Sequence, residues 1–228
     1  MQDKTTGLFI SFEGNDGSGK TTQIHELAHW LRGKGKTVVV HREPGGTPIG
    51  EQVRHILLDN NNVEMSPVTE MLLYASSRAQ LVASVIEPAM MSGDVIICDR
   101  FVDSSYAYQG FGRQLGLETV RSANQAAIGQ WLPDITFFLD LDADTSMERR
   151  NASGHAADRL ENEEMSFHRR VYEGYHFLCK ESAGRIKQIP VMKDGIQRSA
   201  QEVAKEIQEL VAQWLLDNHM FQDQAKPV

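Results

Sequence analysis

Short apolar runs alternate with longer amphipathic stretches along the chain. Leu8–Phe12, Thr37–His41, Val95–Cys98, Ile135–Leu141 and Ile186–Pro190 have the length and apolar character of strands. Helices are predicted at Lys20–Arg32, Ile49–Leu58, Pro67–Met91, Leu117–Ile128, Thr145–Arg150, Asn162–Ala183 and Ala200–Leu216. Gly33 and Gly35 end the first helix, because glycine turns out of a helix without steric cost. Ser66-Pro67 opens the long helix with a cap and a first-turn proline. Strands alternating with helices imply a parallel sheet buried on both faces. The expected fold is therefore α/β: five parallel strands with helices on both faces. No linker, repeat or low-complexity tract divides the 228 residues. One domain over 1–228 is expected, with the tail Phe221–Val228 fraying.

The first strand runs into Gly14-Asn15-Asp16-Gly17-Ser18-Gly19-Lys20-Thr21, and a helix follows at once. This is G-x-x-x-x-G-K-[ST] in the context that the motif requires, a phosphate-binding loop. Its glycines let the backbone wrap a phosphate, with N–H groups turned inward toward the positive end of a helix. Gly14, Asn15, Asp16, Gly17, Ser18, Gly19, Lys20, Thr21 and Thr22 are thus expected to bind ATP. Lys20 would face the β- and γ-phosphates, and Thr21 would offer a hydroxyl to Mg²⁺.

Charge and cysteine content narrow the picture. Lys and Arg total 23 against 31 Asp and Glu, a net −8 that argues against a general nucleic-acid or membrane-surface binder. Cys98 and Cys179 each adjoin apolar residues and read as buried thiols. No apolar run reaches membrane-span length, and Met1–Thr6 carries no apolar leader segment, so a cytoplasmic location is expected.

In a doubly wound sheet, ligands lie beyond the carboxyl ends of the strands. Arg42-Glu43-Pro44-Gly45-Gly46-Thr47 follows the second strand, and Asp99-Arg100-Phe101 ends the third. Asp99 is placed to organise Mg²⁺ with Thr21, directly or through water, and Arg100 to hold phosphates. These segments, the glycine loop and Tyr108-Gln109-Gly110 together resemble the thymidylate kinase family, over about Leu8 to Ile207. The resemblance implies a P-loop kinase fold, usually a homodimer, that moves the ATP γ-phosphoryl to dTMP with Mg²⁺ to give dTDP.

The same resemblance implies site residues. Asp16 would meet the deoxyribose 3′-hydroxyl, and Arg54 the monophosphate. Tyr74 would stack on thymine, while Arg78 would reach a thymine carbonyl. Ser105 and Gln109 would face the base, and Tyr108 would exclude a ribose 2′-hydroxyl. Pro44 reads as an apolar wall. Glu43 would organise either metal-bound water or a nearby arginine.

Some relatives carry an arginine in the glycine loop where this chain has Gly17. Others supply the charge from a lid, which here corresponds to about 149–161. Arg149 would cover the adenine ring. Arg150 is the first candidate for the lid's catalytic arginine, and Arg159 the second, alongside Lys20 and Arg100. The lid holds fewer arginines than related lids, with Ala152, Ser153, Gly154 and His155 in its middle. His155 reads as solvated. Lys193-Asp194-Gly195 is either an adenine contact or a plain turn. Two rivals remain: a deoxynucleoside kinase, and a nucleotide-binding regulator without catalysis.

Overall fold

In a computed structural model of the chain, residues 7–154 and 157–218 are described. The expectations for Met1–Thr6, His155 and the tail Phe221–Val228 lie outside them. A five-stranded parallel sheet runs through the centre in the order β2-β3-β1-β4-β5. Its strands are β1 (Leu8–Glu13), β2 (Val38–Arg42), β3 (Val95–Asp99), β4 (Ile135–Asp140) and β5 (Ile186–Pro190). Leu8, Ile10 and Phe12 pack on one face with α1 (Lys20–Gly33) and α9 (Ala200–Asp217). Phe9, Ile96, Cys98 and Phe138 pack on the other face. Alternate strand residues point to opposite faces, so a strand covered on both sides must be apolar throughout. The edge strands β2 and β5 are accordingly less buried than β1, β3 and β4.

The remaining helices are α2 (Pro48–Leu58), α3 (Pro67–Leu81), α4 (Glu87–Met91), α5 (Val102–Ser105), α6 (Leu117–Ile128), α7 (Ala143–Ser153) and α8 (Met165–Glu181). The predicted helix Pro67–Met91 is helical throughout but not uniformly α. A π-helical segment, Val82–Ile86, separates α3 from α4. Pro88 gives the reason: it has no N–H for the helical ladder, and a widened turn accommodates its ring. Ser66 caps α3 as expected, its hydroxyl accepting from Thr69 N.

Two helical pieces were not expected. α5 and a second π-helical segment, Tyr106–Gly112, follow β3 directly. The expected helix from Asn162 begins only at Met165. Lys193-Asp194-Gly195 belongs to a small antiparallel hairpin of β6 (Met192–Lys193) and β7 (Ile196–Gln197). Asp194 and Gly195 both have positive φ, which makes it a tight hairpin turn. Among the described residues no helix is long and apolar enough to cross a membrane. Cys98 and Cys179 are free thiols, Cys98 fully buried.

Candidate active site

β1 is the middle strand, and the glycine loop leaves its carboxyl end between β3 and β4. Lys20 Nζ donates to Gly14 O at 3.1 Å, Asn15 O at 3.2 Å and Asp16 Oδ1 at 3.4 Å. Burial pulls the Lys20 ammonium below its ordinary pKa, and Arg100 adds to this, while Asp16 and Asp99 oppose it. α7 is fastened to the loop: Ser146 Oγ donates to Asp16 O at 2.7 Å, and Arg149 Nη1 to Gly17 O at 3.0 Å. Arg149 also reaches Met192 Sδ at 3.3 Å on β6. Gly17 has φ +77, and a Cβ there would meet Arg149 Cβ at 3.1 Å. A side chain at this loop position would be strained by the positive φ, and Arg149 would have to give way by a few tenths of an ångström.

Beyond the loop lies a cavity. All ten residues expected to bind the monophosphate substrate line it: Asp16, Glu43, Pro44, Arg54, Tyr74, Arg78, Arg100, Ser105, Tyr108 and Gln109. Four stretches of chain deliver most of them. The turn after β2, with a cis Glu43–Pro44 bond, brings Glu43 and Pro44. α2 carries Arg54, whose Nη1 donates to Pro44 O at 3.0 Å. α3 presents Tyr74 and Arg78 four residues apart, on one face. The α5 and π-helical stretch supplies Ser105, Tyr108 and Gln109.

The polar groups are extensively tied to one another. Arg78 Nε and Nη2 donate to Glu43 Oε2 at 2.8 and 2.7 Å, Nη1 to Ser105 Oγ at 3.1 Å and to Asn124 Oδ1, and Nη2 to Phe101 O at 3.3 Å. Of the two partners left open for Glu43 by the sequence, the arginine is in place in the structure. Glu43 Oε1 is buried without a partner, and burial pushes the carboxyl up to about 7 against the charge of Arg78. Gln109 Nε2 is committed to Glu70 Oε1 at 2.9 Å. Arg100 Nη2 donates to Asp16 Oδ1 at 2.7 Å, and its guanidinium lies 5.3 Å from the centre of the Tyr108 ring. Asp16 keeps 44% of its side chain exposed at the mouth of the cavity. Partial burial raises its pKa, but Arg100 and Lys20 outweigh this and hold the carboxyl well below its ordinary range.

A family model described as thymidylate kinase matches residues 12–209. The chain belongs to the thymidylate kinase family. The thymidylate kinase of Thermoanaerobacter sp. (strain X514) is 51% identical over 209 residues, 92% of this chain and 99% of that one. The Halothermothrix orenii enzyme of the same name is 46% identical over 203 residues, covering 88% and 94%. The crystal structure of thymidylate kinase from Ehrlichia chaffeensis matches with a TM-score of 0.74 at 32% identity, over 90% of this chain and 99% of that one.

The stretch expected to be a lid, about 149–161, is partly helix. Arg149 and Arg150 belong to α7, which ends at Gly154 with φ +70. Arg150 is not itself in the cavity lining; burial shifts the carboxyl of Glu161 up and the imidazole of His168 down, and the charge of Arg150 lowers both. Arg159 is placed differently from the lid cation expected of it. Its Nε donates to Leu57 O at 2.8 Å, and Nη2 pairs with the fully buried Glu70 at 2.7 Å. Arg159 ties the chain after 157 to α2 and α3 and is not in the cavity lining. Asp158, Leu160, Glu161 and His168 line the cavity, although no role was predicted for them individually. Asp158, Leu160 and Glu161 lie within the stretch expected to be a lid, whereas His168 lies on α8; which side chains turn inward is decided by packing.

Thr21 and Asp99 share a neighbouring depression with His25, His41, Arg42 and Glu51. Among the described residues, no cluster of three or more His, Cys, Asp or Glu side chains could hold a metal ion by itself. One carboxylate and one hydroxyl suit Mg²⁺, which takes its other ligands from phosphate and water.

Proposed function

We propose that this kinase binds dTMP in the cavity between α2, α3 and the Tyr106–Gly112 segment, and ATP along the glycine loop. ATP-dependent phosphorylation of dTMP to dTDP comes with family membership. The observation that carries the residue roles is the convergence of ten expected side chains on one cavity beside the loop. Arg54 and Arg100 hold the dTMP phosphate, Asp16 accepts from the 3′-hydroxyl, and Tyr74 and Tyr108 bound the base and sugar. Lys20, Arg100 and Arg150 stabilise charge on the transferred phosphoryl, and Arg149 covers adenine. Mg²⁺ held near Thr21 and Asp99 would neutralise β- and γ-phosphate oxygens. The acceptor is an anionic phosphate, so no general base is required.

Arg150, rather than Arg159, is the lid arginine in this reading, because Arg159 is committed to Leu57 O and to the buried Glu70. Replacing Arg150 by Ala should lower kcat about 10²- to 10³-fold with a modest change in KM for dTMP, since the charge acts mainly in the transition state. A large KM effect with kcat intact would remove that role. The reading as a whole is tested by ADP release with dTMP, dUMP, dGMP and thymidine. Turnover of thymidine but not of dTMP would favour a deoxynucleoside kinase, and ATP binding without turnover a regulator. We also propose a homodimer, supported by exposed Val68 and Leu72 four residues apart on α3. The same reading carries a cytoplasmic location, which rests on family membership.

A further inference from the structure

Glu13 ends β1, directly before the glycine loop. It is fully buried, yet no substrate-binding or phosphate-binding role falls to it. Its two oxygens take three protein donors. Oε1 accepts from Phe101 N at 2.7 Å. Oε2 accepts from Ser104 Oγ at 2.5 Å and from Tyr175 OH at 2.9 Å. Both hydroxyls also face Arg100: its Nη1 donates to Ser104 Oγ at 3.3 Å and to Tyr175 OH at 3.4 Å. The carboxylate is thus joined to the guanidinium through two hydroxyls from different elements, α5 and α8. It holds the backbone as well. Arg100 has φ +68, a left-handed conformation that costs a residue with a side chain on the order of 1–2 kcal/mol. The strained residue is pinned on both sides, by Arg100 N donating to Phe12 O at 2.9 Å and by the Phe101 N–H on Glu13. Strain held in place by surrounding bonds, at a residue facing the substrate cavity, marks a position selected for where its side chain points.

We propose that Glu13 is a positioning residue for phosphoryl transfer. It clamps the Arg100 backbone and, through Ser104 and Tyr175, aims the guanidinium at the space between Asp16 and the substrate. The inference rests on Arg100 being a cation of the reaction. A misaimed guanidinium would bind phosphate in the ground state about as well but would meet the transferred charge poorly. The loss therefore belongs in kcat.

Glu13→Gln keeps the size and one carbonyl oxygen but puts an amide donor where an acceptor stood. Tyr175→Phe removes one bridging hydroxyl and keeps the ring. Each should lower kcat on the order of 10- to 100-fold with KM for ATP within a few-fold of wild type. Each loss should vanish when the variant is made in an Arg100→Ala background, because there is then no guanidinium to aim. A Glu13 that merely supported the fold would carry its loss into that background unchanged. Full kcat in either single variant, or losses that multiply with Arg100→Ala, overturn the proposal. If Glu13→Gln does not fold, Tyr175→Phe decides by the same criteria. Full activity in Arg100→Ala alone would instead overturn the role of Arg100, which keeps the two failures distinguishable.

Discussion

Residue by residue, the site is built from charges that constrain one another. Glu13 shows the consequence for stability. Burial raises its carboxyl to about 7, and Asp103 contributes, against the opposing effects of Ser104, Arg100 and the Phe101 N–H. Between its ordinary 4.5 and about 7 the folded chain holds a proton that the unfolded chain has released. Stability from this group is complete below about 4.5 and falls as pH rises toward 7, by about 2 kcal/mol between roughly pH 5.5 and 7.5. Urea unfolding at those two pH values should show a loss in the wild type that is smaller by that amount in Glu13→Gln. Glu43, also raised to about 7, adds a loss of the same sign to both proteins, so the difference isolates Glu13. Asp16 and Arg100 were legible in the sequence because motif spacing names them. Glu13 was not: no motif names it, and only the packing of α5 and α8 shows what it faces.

At the scale of elements, the π-helical segment Tyr106–Gly112 positions Tyr108 and Gln109, and α8 holds that segment in place. The two approach so closely that Gly174, in the middle of α8, has no room for a methyl group. A Cβ there would come within 2.8 Å of Phe111 Cγ and 3.0 Å of Phe111 Cβ. Alanine favours a helix over glycine by about 1 kcal/mol, but the clash is with the base of the ring, which cannot swing aside. Gly174→Ala should therefore destabilise by about 1–3 kcal/mol despite its better propensity, and raise KM for dTMP as Phe111 pushes on the segment. Denaturant unfolding and dTMP kinetics check both effects; a stabilised variant would mean that the segment yields without cost. Strands and long helices were readable from periodicity. This segment was not, because its widened turns follow neither the helical nor the strand repeat.

Across the whole molecule, one buried carboxylate connects the segment carrying Arg159 to the wall of the cavity. Glu70 on α3 is fully buried and pairs with Arg113 at 2.9 Å and Arg159 at 2.7 Å, while accepting from Gln109. Burial would raise its pKa, but these partners outweigh it and lower it. Glu70→Gln would leave two arginines partly uncompensated, at a cost of about 3 kcal/mol. At this chain length that lowers Tm by roughly 6–12 °C, measurable by calorimetry. An unchanged Tm would show that Glu163, 2.6 Å from Arg113, suffices alone. The sequence by itself determined the parallel sheet and the glycine loop, because strand periodicity and motif spacing are local properties, while the ten cavity residues were named through the resemblance to a family. Only the tertiary structure decided that Arg159 is an anchor, that Glu43 belongs to Arg78, and that Glu13 stands behind Arg100. Those pairings join residues 35 to 162 positions apart. Which charge finds which is fixed by packing between elements, and no local pattern records it.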